Sequence, residues 1–353
     1  MSDRDLASAL RRQIGEQGPI RLSDFMGQAV AAYYAARDPF GRRGDFITAP
    51  EISQMFGEVI GLWAAVIWQM MGSPEELLLA ELGPGRGTLM ADMLRAAATL
   101  PAFRRALRPI LVETSPTLRA LQKRALQGED PVWLDEFGQM PAGPAIIIAN
   151  EFFDALPIDQ YVRRADGWHE RRVTEAEGKF CFVDGPGVAE PAMRALGAPE
   201  AQPDEIFEVN QAGRAIAAAL GQRFAQQKGA ALLIDYGHPL SAAGDTLQAM
   251  HLHRSAPPLD RPGEVDLTAH VDFAALVRAA APAQTSPIVT QGNFLRRLGI
   301  ELRAERLAAA RPDQAAEIRL ACQRLINPQG MGTLFKVLAL SSAGLSDLPG
   351  FAA

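Results

Sequence analysis

The sequence predicts an α/β protein: a mostly parallel sheet, a helical region before it and an antiparallel subdomain inserted within it. Three observations point there. Apolar runs such as Ala145-Ile146-Ile147-Ile148-Ala149 and Ala230-Ala231-Leu232-Leu233-Ile234 lack polar alternation, as strands covered on both faces do. From about residue 76 such runs alternate with helical segments, the pattern of βα units. The run at 77–82 ends beside Glu81 and enters Gly83-Pro84-Gly85-Arg86-Gly87-Thr88, a tight turn that opens the helical stretch 89–98.

Taken in order, residues 1–75 read as helices, broken by a polar, glycine-containing loop at 38–46. Candidate strands follow at 77–82, 110–113, 132–134, 145–149, 231–235, 286–290 and 333–339, seven in all. They assign 76–155 and 229–340 to the sheet domain, with an excursion at 239–282. Between 156 and 228 the alternation breaks. Residues 160–164 and 168–173 flank Ala165-Asp166-Gly167, a hairpin pattern, and 179–183 supplies a third strand. This inserted subdomain is expected on the substrate side. The loop at 41–48, with two glycines, two arginines and Phe46, reads as a lid.

Composition narrows the function classes. The 353 residues are 48% hydrophobic and 22% charged, ordinary for a globular chain. A net charge of −6 with scattered arginines gives no nucleic-acid footprint. The apolar stretch 61–71 is too short to cross a bilayer. The first residues, Met1-Ser2-Asp3-Arg4-Asp5, carry charges and no apolar segment, so a cytoplasmic protein is expected. Cys181 and Cys322 lie far apart and outside any C-x-x-C, as two buried, unpaired thiols do. His251-x-His253 near Asp245 lacks further ligands at a recognised spacing, so no metal is expected. Trp63, Trp68 and Met70-Met71 sit at helical spacing and read as core.

The glycine turn is the first chemical signal. Gly83, Gly85 and Gly87 allow the backbone to approach a ligand closely, while Pro84 stiffens the turn. The pattern Glu-x-Gly-x-Gly-x-Gly, from Glu81 onward, departs from the dinucleotide fingerprint because Thr88 holds the sixth position. It resembles motif I of the class I S-adenosylmethionine (SAM) methyltransferases. Glu113 ends the second strand, where a carboxylate accepts both ribose hydroxyls; the alternative is an acid at a helix start capped by Ser115. Asp135 follows the third strand as either an adenine acceptor or an exposed turn acid.

The fourth strand leads into Asn150-Glu151-Phe152-Phe153-Asp154-Ala155-Leu156-Pro157. Two carboxylates at the exit of an apolar strand call for a cation or a proton. Paired phenylalanines beside them make a slot for a cationic or planar group. The alternative is a pair of acids stabilised by a helix dipole, with Asn150 as cap. Together with Gly44-Asp45-Phe46-Ile47-Thr48-Ala49-Pro50-Glu51, Asp235-Tyr236-Gly237, the block 266–273 and Met331-Gly332-Thr333-Leu334-Phe335-Lys336, these segments resemble the MidA-like SAM-dependent methyltransferases. That family includes the mitochondrial complex I assembly factor. The resemblance runs from about residue 18 to 340, with Ala49 standing where many members carry serine.

The resemblance implies a class I, Rossmann-like fold with a seven-stranded, mostly parallel sheet. It also implies SAM as cofactor and symmetric dimethylation of a protein arginine, for the mitochondrial member in a core subunit of complex I. Glu81, Gly83, Gly85, Gly87, Glu113, Asp135 and Asn150 are expected to hold the cofactor. Glu151 and Asp154 are expected to grip the acceptor guanidinium, with His238 or His270 receiving its proton. His238, just past the fifth strand, is the better placed; His270 reads equally as a capping or core imidazole. Asp45, Phe46, Phe152, Phe153 and His270 make up the expected substrate side. The alternatives are a methyltransferase of a small metabolite and a non-catalytic, SAM-binding assembly chaperone.

Overall fold

The computed structural model describes residues 3–36, 48–251 and 254–351. Its main sheet contains β1 (Leu77–Leu82), β2 (Leu107–Val112), β3 (Val132–Leu134), β4 (Ala145–Asn150), β5 (Gly229–His238) and β6 (Phe335–Ser341). Their order across the sheet is β3-β2-β1-β4-β5-β6, and Gln284–Thr285 completes a seven-strand path. β1 to β5 run parallel and β6 runs against β5. Two further short strands attach beside the path: Val271–Asp272 on β5 and Val289–Thr290 on β6.

The strand expected at 286–290 is split. Pro287 has no N–H for the ladder, and at Ser286 the side-chain hydroxyl takes the Ala339 N–H at 2.9 Å. β5 is longer than expected because Val271–Asp272 pairs with its last two residues, Gly237 and His238.

Apolar runs of β4 and β5 are explained by cover on both faces. Ile146, Ile148, Leu232 and Ile234 join a core with the helices Gln54–Met70 and Thr88–Ala97. On the opposite face Ile147 and Leu233 pack with Ala217, Leu220 and Phe224 of the helix Gln211–Gln226. Each such aliphatic side chain contributes about 1.5–3 kcal/mol of burial. Trp63, Trp68 and Met71 belong to the first core, whereas Met70 is 39% exposed. Cys322 is buried and Cys181 partly so; both are free thiols.

The helices Asp3–Gln17, Leu22–Ala36 and Gln54–Met70 precede the sheet. The inserted strands Asp159–Arg164, Gly167–Ala176, Lys179–Val188 and Ile206–Val209 form an antiparallel sheet, with Arg164 opposite Gly167 at the expected hairpin. The N-terminal segment is tied into it. Ile20 pairs with Val173, and Arg21 reaches Asp159 at 2.7 Å and Glu170 at 3.1 Å.

The chain builds β1, β2 and β3 outward, then returns to place β4 on the other side of β1. Adjacent connections therefore leave in opposite directions at the carboxyl ends of β1 and β4, and a crevice opens between them.

Packing across the second face is close. A Cβ at Gly221 would lie 2.1 Å from the Ala280 carbonyl oxygen. Gly221→Ala is therefore expected to destabilise the fold by about 1–3 kcal/mol. Chemical denaturation with an unchanged midpoint would contradict that packing.

Candidate active site

The first residues beyond the strand ladder stand side by side at the crevice. The Gly83 N–H donates to Val112 O (3.1 Å), that of Glu113 to Leu134 O (3.0 Å) and that of Glu151 to Ile234 O (2.8 Å). Sheet register alone thus brings together the glycine turn, the acid after β2 and the acid turn after β4.

In the glycine turn Gly83, Gly85 and Gly87 have φ of 61°, 51° and 83°. A Cβ at Gly83 would lie 2.8 Å from a ring carbon of Phe152, so both conformation and space require glycine there. Gln122, fully buried on the helix Pro116–Ala125, ties the turn to its neighbours. Its amide nitrogen donates to Gly85 O (2.8 Å) and to Glu113 Oε2 (3.2 Å), and its oxygen accepts from the Trp133 indole (2.8 Å). The Ser115 N–H donates to Glu113 Oε1 at 2.8 Å. Burial pushes the Glu113 carboxyl up, and these donors oppose the shift. Glu113 is tied to a helix start, as one of its two readings expects, and it also lines the crevice.

A cavity of about 390 Å³ lies above the turns, bounded by Gly83, Glu113, Glu151 and Phe152 and roofed by Val30 and Tyr34. The roof is the helix Leu22–Ala36, fastened by Ser115 Oγ donating to Tyr34 O at 2.8 Å. Beyond Phe152 a second cavity, of about 830 Å³, continues past Asp135 and Phe137. Asp135 lines it as an exposed acid whose carboxylate is paired with Arg119 at 2.7 Å.

A smaller recess holds Glu81, Asn150 and Glu151 beside Gly83 and Gly85. Glu81 Oε2 and Asn150 Oδ1 are buried there without a donor among the described residues. Desolvation holds the Glu81 carboxyl well above its usual range. Acceptors without donors, beside a glycine cradle, fit a ligand that carries an ammonium group, as SAM does.

The acid turn is strained and strongly held. Glu151 has φ of 51°, a left-handed conformation that costs a non-glycine residue on the order of 1–3 kcal/mol. Asp235, 1% exposed and one residue past the last β4–β5 pair, holds the turn. Its Oδ2 accepts from the N–H groups of Phe152 (3.1 Å), Phe153 (2.9 Å) and Asp154 (3.2 Å), and its Oδ1 from that of Tyr236 (2.9 Å). Glu151 Oε1 accepts from the Ala49 N–H (2.9 Å) and from Asn150 Nδ2 (3.1 Å). Burial raises the Glu151 carboxyl to about 7 and that of Asp154 to about 6. Burial and the neighbouring Asp154 and Glu151 also push the Asp235 carboxyl up, against the pull of its N–H donors. Among the described residues no Lys or Arg side chain pairs with any of the three.

Several expected site residues stand elsewhere. Phe153 is not on the substrate side: it is 1% exposed and packs in the core with Ala217 and Leu220, edge-on to the Phe152 ring at 5.4 Å. Phe152 faces the cavities. His238 and His270 line a separate cavity of about 50 Å³ with Glu208 and Asp272, and it shares no wall with Glu151. The extended run of β5 past Asp235 carries His238 away, and its Nδ1 meets Leu240 O at 2.6 Å. Asp45, Phe46, His253 and the lid, apart from Thr48, lie outside the described residues. No site role for Gln122, Asp235 or the roof helix is read from the sequence, although Asp235 stands in one of the family-like blocks and the roof falls in the helical region 1–75. A lone amide in an amphipathic helix gives no signal, whereas Gly27 and Ala31, four residues apart beside Tyr34, mark a face made for close approach.

Comparison with known proteins adds the chemistry. The family described as "Putative S-adenosyl-L-methionine-dependent methyltransferase" matches residues 59–290. The chain is 35% identical over 366 residues to a Xenopus tropicalis protein named protein arginine methyltransferase NDUFAF7, mitochondrial, covering 93% of this chain and 84% of that one. It is 35% identical to the homologue so named in Drosophila melanogaster, covering 95% and 84%. A COG1565 superfamily member from Burkholderia thailandensis, solved with bound S-adenosyl-homocysteine, superposes with a TM-score of 0.87 at 29% identity, covering 99% of this chain and 95% of that one. The expectation of a cytoplasmic protein is overturned: these curated relatives are named as mitochondrial, and the make-up of the first residues is no guide to compartment. Family, fold and a neighbour holding the spent cofactor agree, and the chain belongs to the S-adenosyl-L-methionine-dependent methyltransferases.

Proposed function

We propose that the protein is a protein arginine N-methyltransferase whose acceptor is held by Glu151 and Asp154. The observation that carries this reading is the acid turn. Glu151 lines the crevice beside the glycine turn, Asp154 is buried on the same acid turn, and neither has a basic partner among the described residues. A cationic acceptor supplies the missing charge. The names of the curated relatives support arginine as that acceptor. The family resemblance adds symmetric dimethylation and a core subunit of respiratory complex I as the substrate. In this reading Glu81, Gly83, Gly85, Glu113 and Asn150 hold the cofactor, and Gln122 fixes the glycine turn against Glu113.

When bound, SAM supplies a methyl group on a sulfonium that is its own leaving group. The protein's task is to orient the acceptor and exclude water. A carboxylate at Glu151 grips guanidinium nitrogens and stabilises positive charge during transfer. A guanidinium nitrogen that gains a methyl loses a proton, and Glu151, with its raised proton affinity, is placed to receive it.

Glu151→Gln keeps shape and removes charge. Transfer to a protein acceptor is expected to fall by roughly two orders of magnitude while SAM affinity stays within a few fold. Full transfer by this variant contradicts the assignment, and a labelled lysine or metabolite would leave a methyltransferase but not an arginine one. The pH dependence follows from the same group. Below about 7 Glu151 is protonated and cannot hold a cation, so transfer should rise between pH 6 and 8. A flat profile in the wild type opposes it.

Cofactor binding has its own tests. Gly85→Val places a branched side chain at a φ of 51° and should abolish SAM binding in a folded protein; wild-type affinity by calorimetry is the contrary result. Gln122→Met, which cannot donate to Gly85 O or Glu113, should weaken SAM by about tenfold, the usual cost of one buried hydrogen-bonding partner.

A further inference from the structure

The slot that the sequence places between Phe152 and Phe153 does not form, because Phe153 lies in the core. The roof supplies another aromatic. Tyr34 lines the cavity of about 390 Å³ together with Phe152 and Glu151. Of the two charged residues described there, Glu113 is taken up by the Ser115 N–H and the Gln122 amide. Glu151 uses only Oε1, on the Ala49 N–H and the Asn150 amide. Its Oε2 takes no hydrogen bond among the described residues. Most of the remaining lining is apolar, with Val30, Ala155, Leu156 and Pro157 among it.

Both rings are held. The Phe152 ring lies against Gly83, where a Cβ would come within 2.8 Å of it. Tyr34 packs edge-on against Tyr33 with ring centroids 5.1 Å apart, and its hydroxyl donates to Asp266 Oδ2 at 3.4 Å. The roof helix is pinned on either side of the cavity. Ser115 Oγ donates to Tyr34 O at 2.8 Å, and Thr117 Oγ1 donates to Ala35 O at 3.3 Å. About two turns earlier, a Cβ at Gly27 would lie 3.3 Å from Pro157 Cγ, so the helix rests on the exit of the acid turn. The gap between roof and floor is therefore set before a ligand arrives.

We propose that Tyr34 and Phe152 are the two walls of a slot that selects a guanidinium over an ammonium, with Tyr34 the specificity-determining residue of the acceptor site. This deepens the arginine reading and rests on it. A guanidinium is planar and weakly hydrated, so it lies flat against aromatic faces while its edge meets a carboxylate. Glu151 Oε2 supplies that edge contact. A lysine ammonium is a compact, strongly hydrated charge and gains less from two rings. Tyr34 is the residue to test, because Phe152 also lines the second cavity, which continues past Asp135.

The test is calorimetric titration of the protein, saturated with S-adenosylhomocysteine, by an arginine peptide and by the same peptide carrying lysine. The wild type should bind the arginine peptide at least roughly tenfold more tightly. In Tyr34→Leu that ratio should fall by at least roughly threefold, while S-adenosylhomocysteine affinity stays within about threefold. Tyr34→Phe, which keeps the ring, should restore the ratio. An unchanged ratio in Tyr34→Leu overturns the proposal, because a roof that only supports the fold weakens both peptides alike. Failure of Tyr34→Phe to restore the ratio moves the role to the hydroxyl and also overturns it. Loss of S-adenosylhomocysteine binding in Tyr34→Leu does the same, since the ring then covers the cofactor. If Tyr34→Leu does not fold, Tyr34→Met takes its place under the same expectations. Failure of both to fold assigns the ring to stability and overturns the proposal. A wild type that binds the two peptides equally removes the slot and leaves Glu151 as a site for cations. A wild type that binds neither peptide defeats the arginine reading itself, and the slot with it.

Discussion

The reversal of strand order between β1 and β4 is the constraint on which the site depends. Because the chain lays β1, β2 and β3 outward and returns to put β4 beside β1, their exits part and leave a crevice. Everything chemical follows from the register at that edge. Gly83, Glu113 and Glu151 are each the first residue past the ladder, and Asp235 follows the last β4–β5 pair, Ile234 with Asn150. The fold therefore needs no long-range adjustment to assemble the glycine turn, the acid beside it and the acid turn. It needs only strands of the right length, buried on both faces.

Electrostatics then divides the crevice. On the glycine side, polar groups are tied into a closed network through Gln122, which leaves Glu113 held and oriented. Next to it, Glu81 and Asn150 keep acceptors without donors. On the acid side, a backbone concavity is filled from within by Asp235, and burial drives Glu151 and Asp154 toward holding protons near neutrality. Such a cluster is costly to keep charged and inexpensive to neutralise with a cation. In the proposed reading this difference recruits a guanidinium. A backbone held left-handed at Glu151 belongs to the same design, since strain at one residue is stable only where neighbours over-determine it.

The sequence disclosed the parts governed by periodicity and by turn chemistry. Continuous apolar runs located β1, β4 and β5 within a few residues, and the Asp166-Gly167 turn located the inserted hairpin. Glycines and acids at strand exits showed where a crevice would open. Features that arise only from three-dimensional neighbours stayed hidden. Asp235 reads as one more acid at a strand end, and its role exists only because β4 and β5 are adjacent and in register. Phe152 and Phe153 are indistinguishable in sequence, but the turn sends one to the crevice and the other into the core. His238 was misplaced because the short strand Val271–Asp272 prolongs β5, a pairing of two residues that leaves no periodic trace.

The central claim is that the acid turn recognises positive charge on the acceptor. The most direct measurement is calorimetric titration of the protein, saturated with S-adenosylhomocysteine, by an arginine peptide and by the same peptide carrying citrulline. Citrulline matches arginine in shape and lacks its charge. Repeating the titration near pH 7 in buffers of different ionisation enthalpy counts the protons exchanged. The account predicts that the arginine peptide binds and releases protons, that the citrulline peptide binds at least roughly tenfold more weakly, and that Glu151→Gln removes the difference. Equal binding of the two peptides, with no proton released, would contradict it.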